Sequence, residues 1–406
     1  MHILIIVETF PPETRSVSTL YFELAESLVK LGHKVSVITR MPYTNIAEGT
    51  DISRVSIEEN MAGINIFRCR TPRLARTIPF IRGLDHFLLG LIFFLGGLKI
   101  KDFDLVLIYS PPLPVGVAGI CLGKIRGRPV IVNVQDLHPQ QVIDLGLLKN
   151  PVLIKISKMM EFFIYRKADF ITAHSEGNRN YIIRHGGHEV TTTTLYNWVD
   201  TELIKPGPQI NDFSKKHQLS EKFVVNYTGT MGFFQGLDMV VEAARLLKDE
   251  QNILFVLVGD GVKKSELEMK SEKFGLTNIL FIPTQPLKTY PLILDSSAVC
   301  LLTLHKNLTT PTVPGKLMGL MAAGKPILAS VPQNSDARKI IAQSNCGLCV
   351  SPENPAELAK AVLKLYNNIA LRKTMGEDAR QAAEQFFSRE AAVLKYELLF
   401  NKLARR

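Results

Sequence analysis

An alternation running through nearly the whole chain most constrains what it can fold into: short apolar runs, each followed by a stretch with apolar residues at helical spacing. Ile3 to Val7 reads as a strand, Ser18 to Leu31 as an amphipathic helix stopped by Gly32, and Lys34 to Thr39 as the next strand. Further strands are expected at Asp104 to Tyr109, Val130 to Val134 and Phe170 to Ala173. Between the last two, Leu153, Ile156, Met160 and Phe163 recur at helical spacing with Lys155, Lys158 and Arg166 on other faces, which predicts a packed helix with a basic rim. Apolar strands alternating with helices are the signature of βαβ units and a parallel sheet. The pattern lapses at NWVDTELIKPGPQINDF, where Pro206, Gly207 and Pro208 interrupt both periodicities. It then restarts with Phe223 to Tyr227, Ile253 to Val258, Ile279 to Ile282, Ala298 to Leu302 and Pro326 to Ala329. A chain of 406 residues exceeds the size at which one core stops growing. The expected architecture is therefore α/β, with two Rossmann-like halves at 1–203 and 204–387 and a last helix over 388–406, where Ala392, Tyr396, Leu399 and Leu403 share a face that packs back on the first half. Ligands of doubly wound sheets bind beyond the carboxyl ends of the strands, so two such halves facing each other create a cleft.

The five cysteines are odd in number and scattered, which argues against a secreted disulfide framework and for a reducing, cytoplasmic compartment. The opening MHILIIVETF has no basic leader and reads as a first strand rather than a signal peptide. A net charge of +10 invites a polyanionic partner. From Ile66 to Lys101 there are seven basic residues, Arg68, Arg70, Arg73, Arg76, Arg82, Lys99 and Lys101, against the single acid Asp85. Inside that segment lies FLLGLIFFLGGL, twelve uncharged residues, whereas crossing a bilayer takes about 20. The segment Arg68 to Lys101 suits a helix lying in an anionic membrane interface; a buried core helix with a solvated basic neighbour is the alternative. A nucleic-acid groove is disfavoured, because the cations surround an aliphatic and phenylalanine-rich run.

Three elements carry chemistry in the second half. After the strand Phe223 to Tyr227 comes TGTMGFFQGLD, which places Gly229, Gly232 and Gly236 in a turn that opens a helix; small residues there let a backbone approach phosphate at a helix N-terminus. Gly259, Asp260 and Gly261 form a second turn after the next strand, for which a plain helix cap at Asp260 is an equally good account. The third is TVPGKLMGLMAAGKPILAS, where Pro314 and Gly315 start a helix and Lys316 lies in its first turn. A cation there opposes the helix dipole, so an anionic ligand explains it better than stability does.

From end to end the chain resembles the family-4 retaining glycosyltransferases of the GT-B fold, especially the bacterial N-acetylfucosamine transferase-like subgroup of cell-surface polysaccharide synthesis. The resemblance is carried by FPPE, LGHKVSVITRMPY, YSPPL, NVQDLHPQ, HSEGN, YNWVD, YTGTMGFFQGLD, VGDG and VPGKLMGLMAAGKP. It implies that the second domain holds a nucleotide diphosphate and the first an acceptor. Gly229, Gly232 and Gln235 would lie near the diphosphate, Gly259, Asp260 and Gly261 near the base, and Pro314, Gly315 and Lys316 near phosphate. Asp136 and His138 would face the sugar or acceptor, and Asn197 and Asp200 would sit at the crossover, unless they merely cap a turn. The chain departs from the broad family where it matters. The usual glutamate pair falls at Pro311 and Gly319, and the arginine and lysine of the phosphate loop at Phe233 and Gln235. The implied reaction moves a sugar, an N-acetylated hexosamine or deoxyhexosamine, from a UDP-sugar to a polyprenyl-diphosphate-linked acceptor in O-antigen, capsule or exopolysaccharide synthesis. Asp136, His138 and Lys316 would serve catalysis, and neither metal nor cofactor would take part. A nucleotide-sugar 2-epimerase and a noncatalytic membrane-bound scaffold are the competing readings. Cys346 and Cys349 form a CxxC with no completing ligands, and Asp102 to Asp104 is a lone DxD before a strand.

Overall fold

The computed structural model describes the chain apart from residues 45, 48, 53–54, 73–78, 312 and 405–406, and gives the backbone only for 79–82 and 404. Two compact units emerge: Met1–Asn197 together with Arg389–Arg406, and Trp198–Ser388.

The first unit is built on β1 (His2–Ile6), β2 (Lys34–Arg40), β3 (Glu58–Met61), β4 (Ile64–Cys69), β5 (Leu105–Ser110), β6 (Val130–Val134), β7 (Phe170–Ala173) and β8 (Thr192–Thr194). Among the described residues these pair in the order β3-β4-β2-β1-β5-β6-β7-β8, all parallel except the β3–β4 hairpin. The hairpin breaks the sequence alternation and was not expected. It takes Arg68 into β4 and buries it, with its guanidinium on Glu59 and the Pro11 carbonyl, so Arg68 leaves the basic cluster that the sequence suggested. Strand order reverses between β1 and β5, the point where a doubly wound sheet opens a crevice.

One face of this sheet, including Leu4, Ile6, Ile108 and Val132, is covered by the helices Pro79–Gly97, Leu113–Arg126 and Pro151–Lys167. The middle helix is clamped by both neighbours. A Cβ on Gly90 would lie 2.7 Å from the Pro114 carbonyl, and one on Gly116 2.8 Å from Ile164. The terminal helix Arg389–Ala404 belongs to this unit for a polar as well as an apolar reason. Asn133, fully buried in β6, donates to Tyr396 Oη at 3.0 Å and Thr172 Oγ1 at 2.8 Å and accepts from Tyr21 Oη. Arg389 closes the start of the helix on Ser27 and the Glu23 carbonyl.

The second unit carries β9 (Phe223–Thr228), β10 (Ile253–Val258), β11 (Ile279–Ile282), β12 (Val299–Thr303), β13 (Ile327–Ser330) and β14 (Gly347–Val350). Its sheet is parallel throughout, in the order β11-β10-β9-β12-β13-β14, with the reversal between β9 and β12. The strands are apolar on both faces because both are covered. Val225 and Tyr227 pack towards the helices Asp238–Leu246 and Pro355–Tyr366, whereas Val224, Val256 and Val258 meet Phe213, Leu219 and Ile293.

Candidate active site

In the second unit the strand reversal brings together the loops that leave β9 and β10 and the start of the helix Lys316–Ala322. Gly229 follows β9 with φ +144°, and Gly259 follows β10 with the same value. The two loops are stacked backbone against backbone. Gly229 N–H donates to the Val258 carbonyl, Met231 N–H to the Asp260 carbonyl, and Lys263 N–H back to the Met231 carbonyl. No side chain fits between them: a Cβ on Gly259 would stand 2.1 Å from the Gly229 oxygen, and one on Gly261 2.4 Å from the Met231 oxygen. Gln235 turns its Oε1 back to accept from Gly232 N–H at 3.1 Å. The amides of Gly229, Met231 and Gly232 thus serve internal hydrogen bonds, and what the loop offers a ligand is close approach of its backbone. Asp260 accepts from Thr284 N–H at 2.8 Å and from Lys264, which hold its carboxyl at about 2, below the usual carboxylate range.

Lys316 brings a buried cation to this site. Its Nζ lies 2.9 Å from where a Cβ on Gly229 would be and 3.7 Å from the centre of the Tyr227 ring. Part of the side chain reaches the surface, but Nζ is shut off from solvent and has no hydrogen-bond partner among the described residues. Desolvation lowers its pKa from 10.5 to about 7. A buried ammonium under a glycine turn at the carboxyl edge of a parallel sheet, with no partner among the described residues, has the chemistry to accept an anion. Gly315, just before it, has helical φ and open space around its Cα, and Pro314 precedes it, half-buried.

One of the two glutamate positions, Gly319, also finds a physical account. Gly319 is buried, and a Cβ there would lie 3.2 Å from Tyr290 Oη and 3.7 Å from Ile204. Tyr290 thus occupies the space a longer side chain needs. Gly319→Glu is expected to lower stability by about 2–4 kcal/mol, since it must displace the ring and bury a carboxylate. Urea unfolding of Gly319→Glu against Gly319→Glu/Tyr290→Ser measures this, and the double variant should regain part of the loss.

In the first unit Asp136 and His138 follow β6, half-exposed on either side of the fully buried Leu137. Tyr109, at the end of β5, has its phenol raised above the usual range by burial, reinforced by the carboxylates of Asp136 and Glu8. Glu8 in turn receives Arg40 Nη1 at 3.4 Å, and the same guanidinium, 2% exposed, meets Asp85 at 3.1 Å and Thr71 at 2.7 Å. Glu8, Arg40 and Tyr109 were not singled out from sequence. The available signal was a charged residue closing an apolar strand, as in ILIIVET and VSVITR. Asn197 pairs reciprocally with Gln135 at 2.7 and 2.8 Å in this unit. Asp200, in the other, accepts from Glu202 and Leu203 N–H as a turn cap. Asp104 accepts from His2 N–H. Cys346, just before β14, is buried and Cys349, on it, is half-buried, both as free thiols.

The family model "Glycosyl transferase 4-like domain" matches residues 18–198, and the model "Glycosyl transferases group 1" matches residues 209–382. The putative colanic acid biosynthesis glycosyl transferase WcaI of Escherichia coli is 24% identical over 91% of this chain and 94% of its own. Among solved structures, sucrose-phosphate synthase of Thermosynechococcus elongatus superposes with a TM-score of 0.79 at 17% identity, covering 99% of this chain and 98% of that one. Anabaena HepE, solved in complex with UDP-glucose, gives 0.73 at 16% identity, covering 99% of this chain and all of that one. Two doubly wound parallel sheets, and glycosyltransferase models that match residues 18–198 and 209–382 in turn, make it a glycosyltransferase of the GT-B fold.

Proposed function

We propose that this glycosyltransferase transfers a sugar from a UDP-sugar to a lipid-diphosphate-linked saccharide during bacterial surface polysaccharide synthesis, with retention at the anomeric carbon. The observation that carries the donor half is Lys316: a buried, uncompensated ammonium under the Gly229 turn suits a diphosphate, the common feature of nucleotide-sugar donors. UDP is favoured because HepE is solved with UDP-glucose, and the pathway because WcaI is named for colanic acid biosynthesis. In the reaction, the bond from the anomeric carbon to the β-phosphate oxygen breaks as the acceptor hydroxyl oxygen forms its own. The hydroxyl proton passes to the departing diphosphate. Lys316 offsets the charge developing there, and Asp136 and His138 position hydroxyls. The donor sugar is read as an N-acetylated hexosamine or deoxyhexosamine, and no metal is assigned a role.

The lipid-linked acceptor calls for a membrane-facing surface. The helix Pro79–Gly97 supports one, with Leu84, Phe87, Leu91 and Leu95 exposed on successive turns and Lys99 and Lys101 exposed just beyond it. Among the described residues no helix is long and apolar enough to cross a membrane. Arg73 and Arg76 lie outside the described residues, as does the side chain of Arg82.

The test is release of free nucleoside diphosphate from a panel of UDP- and GDP-sugars, with and without a membrane extract holding lipid-linked saccharides. Release from one UDP-sugar that depends on the extract is the expected result. Conversion of a UDP-sugar without acceptor would support a 2-epimerase instead. No release and no nucleotide binding would leave a noncatalytic scaffold.

A further inference from the structure

The sequence predicts a packed helix with a basic rim over Pro151–Lys167, but one apolar side of it is open. Ile164 and Tyr165 enter the core, but Val152, Met159 and Phe162 are 62%, 63% and 55% exposed, and Ile156 lies exposed between them. A shallow apolar groove runs along this side, bordered by Lys155 and Lys158. The surface has the same make-up as that of the helix Pro79–Gly97, which flanks the recessed helix Leu113–Arg126 on its other side. Each of the two outer helices contains a single acidic residue, and in each it is buried: Asp85 on Arg40, and Glu161 beside Tyr165 Oη. Among the described residues the exposed charges on the two outer helices themselves are therefore cations, Lys155, Lys158, Arg166 and Lys167, and Lys99, Lys101 and Arg128 lie exposed at the helix ends, where Asp102 and Asp169 are the exposed acids.

We propose that the outward faces of the helices Pro79–Gly97 and Pro151–Lys167 form one docking surface for an anionic lipid bilayer, with the second helix a full arm of it. The inference rests on the membrane reading above and extends it to a helix that reading did not include. Two helices held side by side by one sheet present apolar side chains once per turn on the same outer layer. Removal of every acid from those faces leaves cations to meet lipid phosphates. That combination fits a helix lying flat at the headgroup boundary, with rings and aliphatic chains below and ammonium groups above. It also explains why both acids are turned inwards, since an exposed carboxylate would repel the lipid surface.

Flotation of the full chain with vesicles of equal parts phosphatidylethanolamine and phosphatidylglycerol, against vesicles of phosphatidylcholine alone, tests the proposal. The wild-type chain should partition onto the anionic vesicles. Val152→Ser/Met159→Ser and Lys155→Glu/Lys158→Glu should each weaken partitioning about tenfold, as should Leu91→Ser/Leu95→Ser. Unchanged circular dichroism and melting temperature would show that the variants fold. Loss in the Leu91/Leu95 variant alone would overturn the second arm and leave the earlier membrane reading standing. No partitioning of the wild-type chain would overturn both. Unchanged partitioning together with a concentration-dependent dimer that Val152→Ser/Met159→Ser abolishes would make this face a protein interface and also overturn the proposal.

Discussion

Replacing Lys316 by Met is expected to reduce turnover about 100- to 1,000-fold and, in the same protein, to raise the melting temperature of the unliganded chain. The two effects have one cause. Nζ is shut off from water against Gly229 and the Tyr227 ring with no acceptor among the described residues, so its charge is uncompensated until an anion arrives. Desolvation has lowered its pKa from 10.5 to about 7. Between those two values the unfolded chain binds a proton that the folded chain does not, so the stability of the wild-type protein rises with pH across that window and is flat below it. Methionine fills similar space without the penalty, which should raise Tm by about 5–10 °C at neutral pH and abolish that rise. Melting curves of wild type minus variant, taken from pH 6 to 10 in steps of about one unit, isolate the lysine from all other titrating groups. Diphosphate binding should reverse the desolvation effect and draw a proton onto Nζ. Calorimetric titration of UDP in two buffers of different ionisation heat should therefore show proton uptake at pH 8 and almost none at pH 6. Equal Tm for wild type and Lys316→Met, with unchanged UDP affinity, would remove the lysine from the mechanism.

Gly259→Ala should be the most destabilising single substitution in the second unit's site. The added Cβ would meet the Gly229 carbonyl oxygen at 2.1 Å, and φ of +144° strains any L side chain there. Backbone cannot yield as a flexible side chain does, so the loops must separate, at an expected loss of about 4 kcal/mol with nucleotide binding lost too. Gly315→Ala is the informative contrast. It lies in the same site, but with φ of −58° and nothing within 4 Å of a new Cβ, so its stability should change by no more than about 0.5 kcal/mol. A fall in UDP affinity with Gly315→Ala at unchanged Tm would then report contact with the ligand alone. Urea midpoints of the three proteins decide between these outcomes. If Gly259→Ala matched wild type, the stacked-loop account of the site would be wrong.

The same comparison shows how far the candidate site was legible. Lys316 stands out in the sequence because a lysine in the first turn of a helix conflicts with the helix dipole, and a local conflict of that kind points to a ligand. Gly229 and Gly259 were found because glycines after apolar strands mark turns at a sheet edge. Their physical work was not legible. They make room for each other's backbone, and that requirement exists only once β9 and β10 are neighbours. Gln235 places its Oε1 on the Gly232 amide within its own turn, a partner that spacing along the chain does not reveal. Tyr290 could not be foreseen as the reason position 319 is a glycine, because the pair is 29 residues apart.

By itself, the sequence determined the parts of this protein that depend on near neighbours along the chain: which runs become strands, which become helices, where the glycine turns fall, and hence two doubly wound parallel sheets. Hydrophobic periodicity carries that information because burial on one face or both repeats at the period of each element. Tertiary structure decided what depends on distant partners. It turned Arg68 inwards onto Glu59, set Arg40 between Glu8 and Asp85, and tied the terminal helix to Asn133 through Tyr396. It also left one face of the helix Pro151–Lys167 bare. An arginine or a methionine has the same local propensity whether buried or exposed, and only the elements packed against it settle which face meets water.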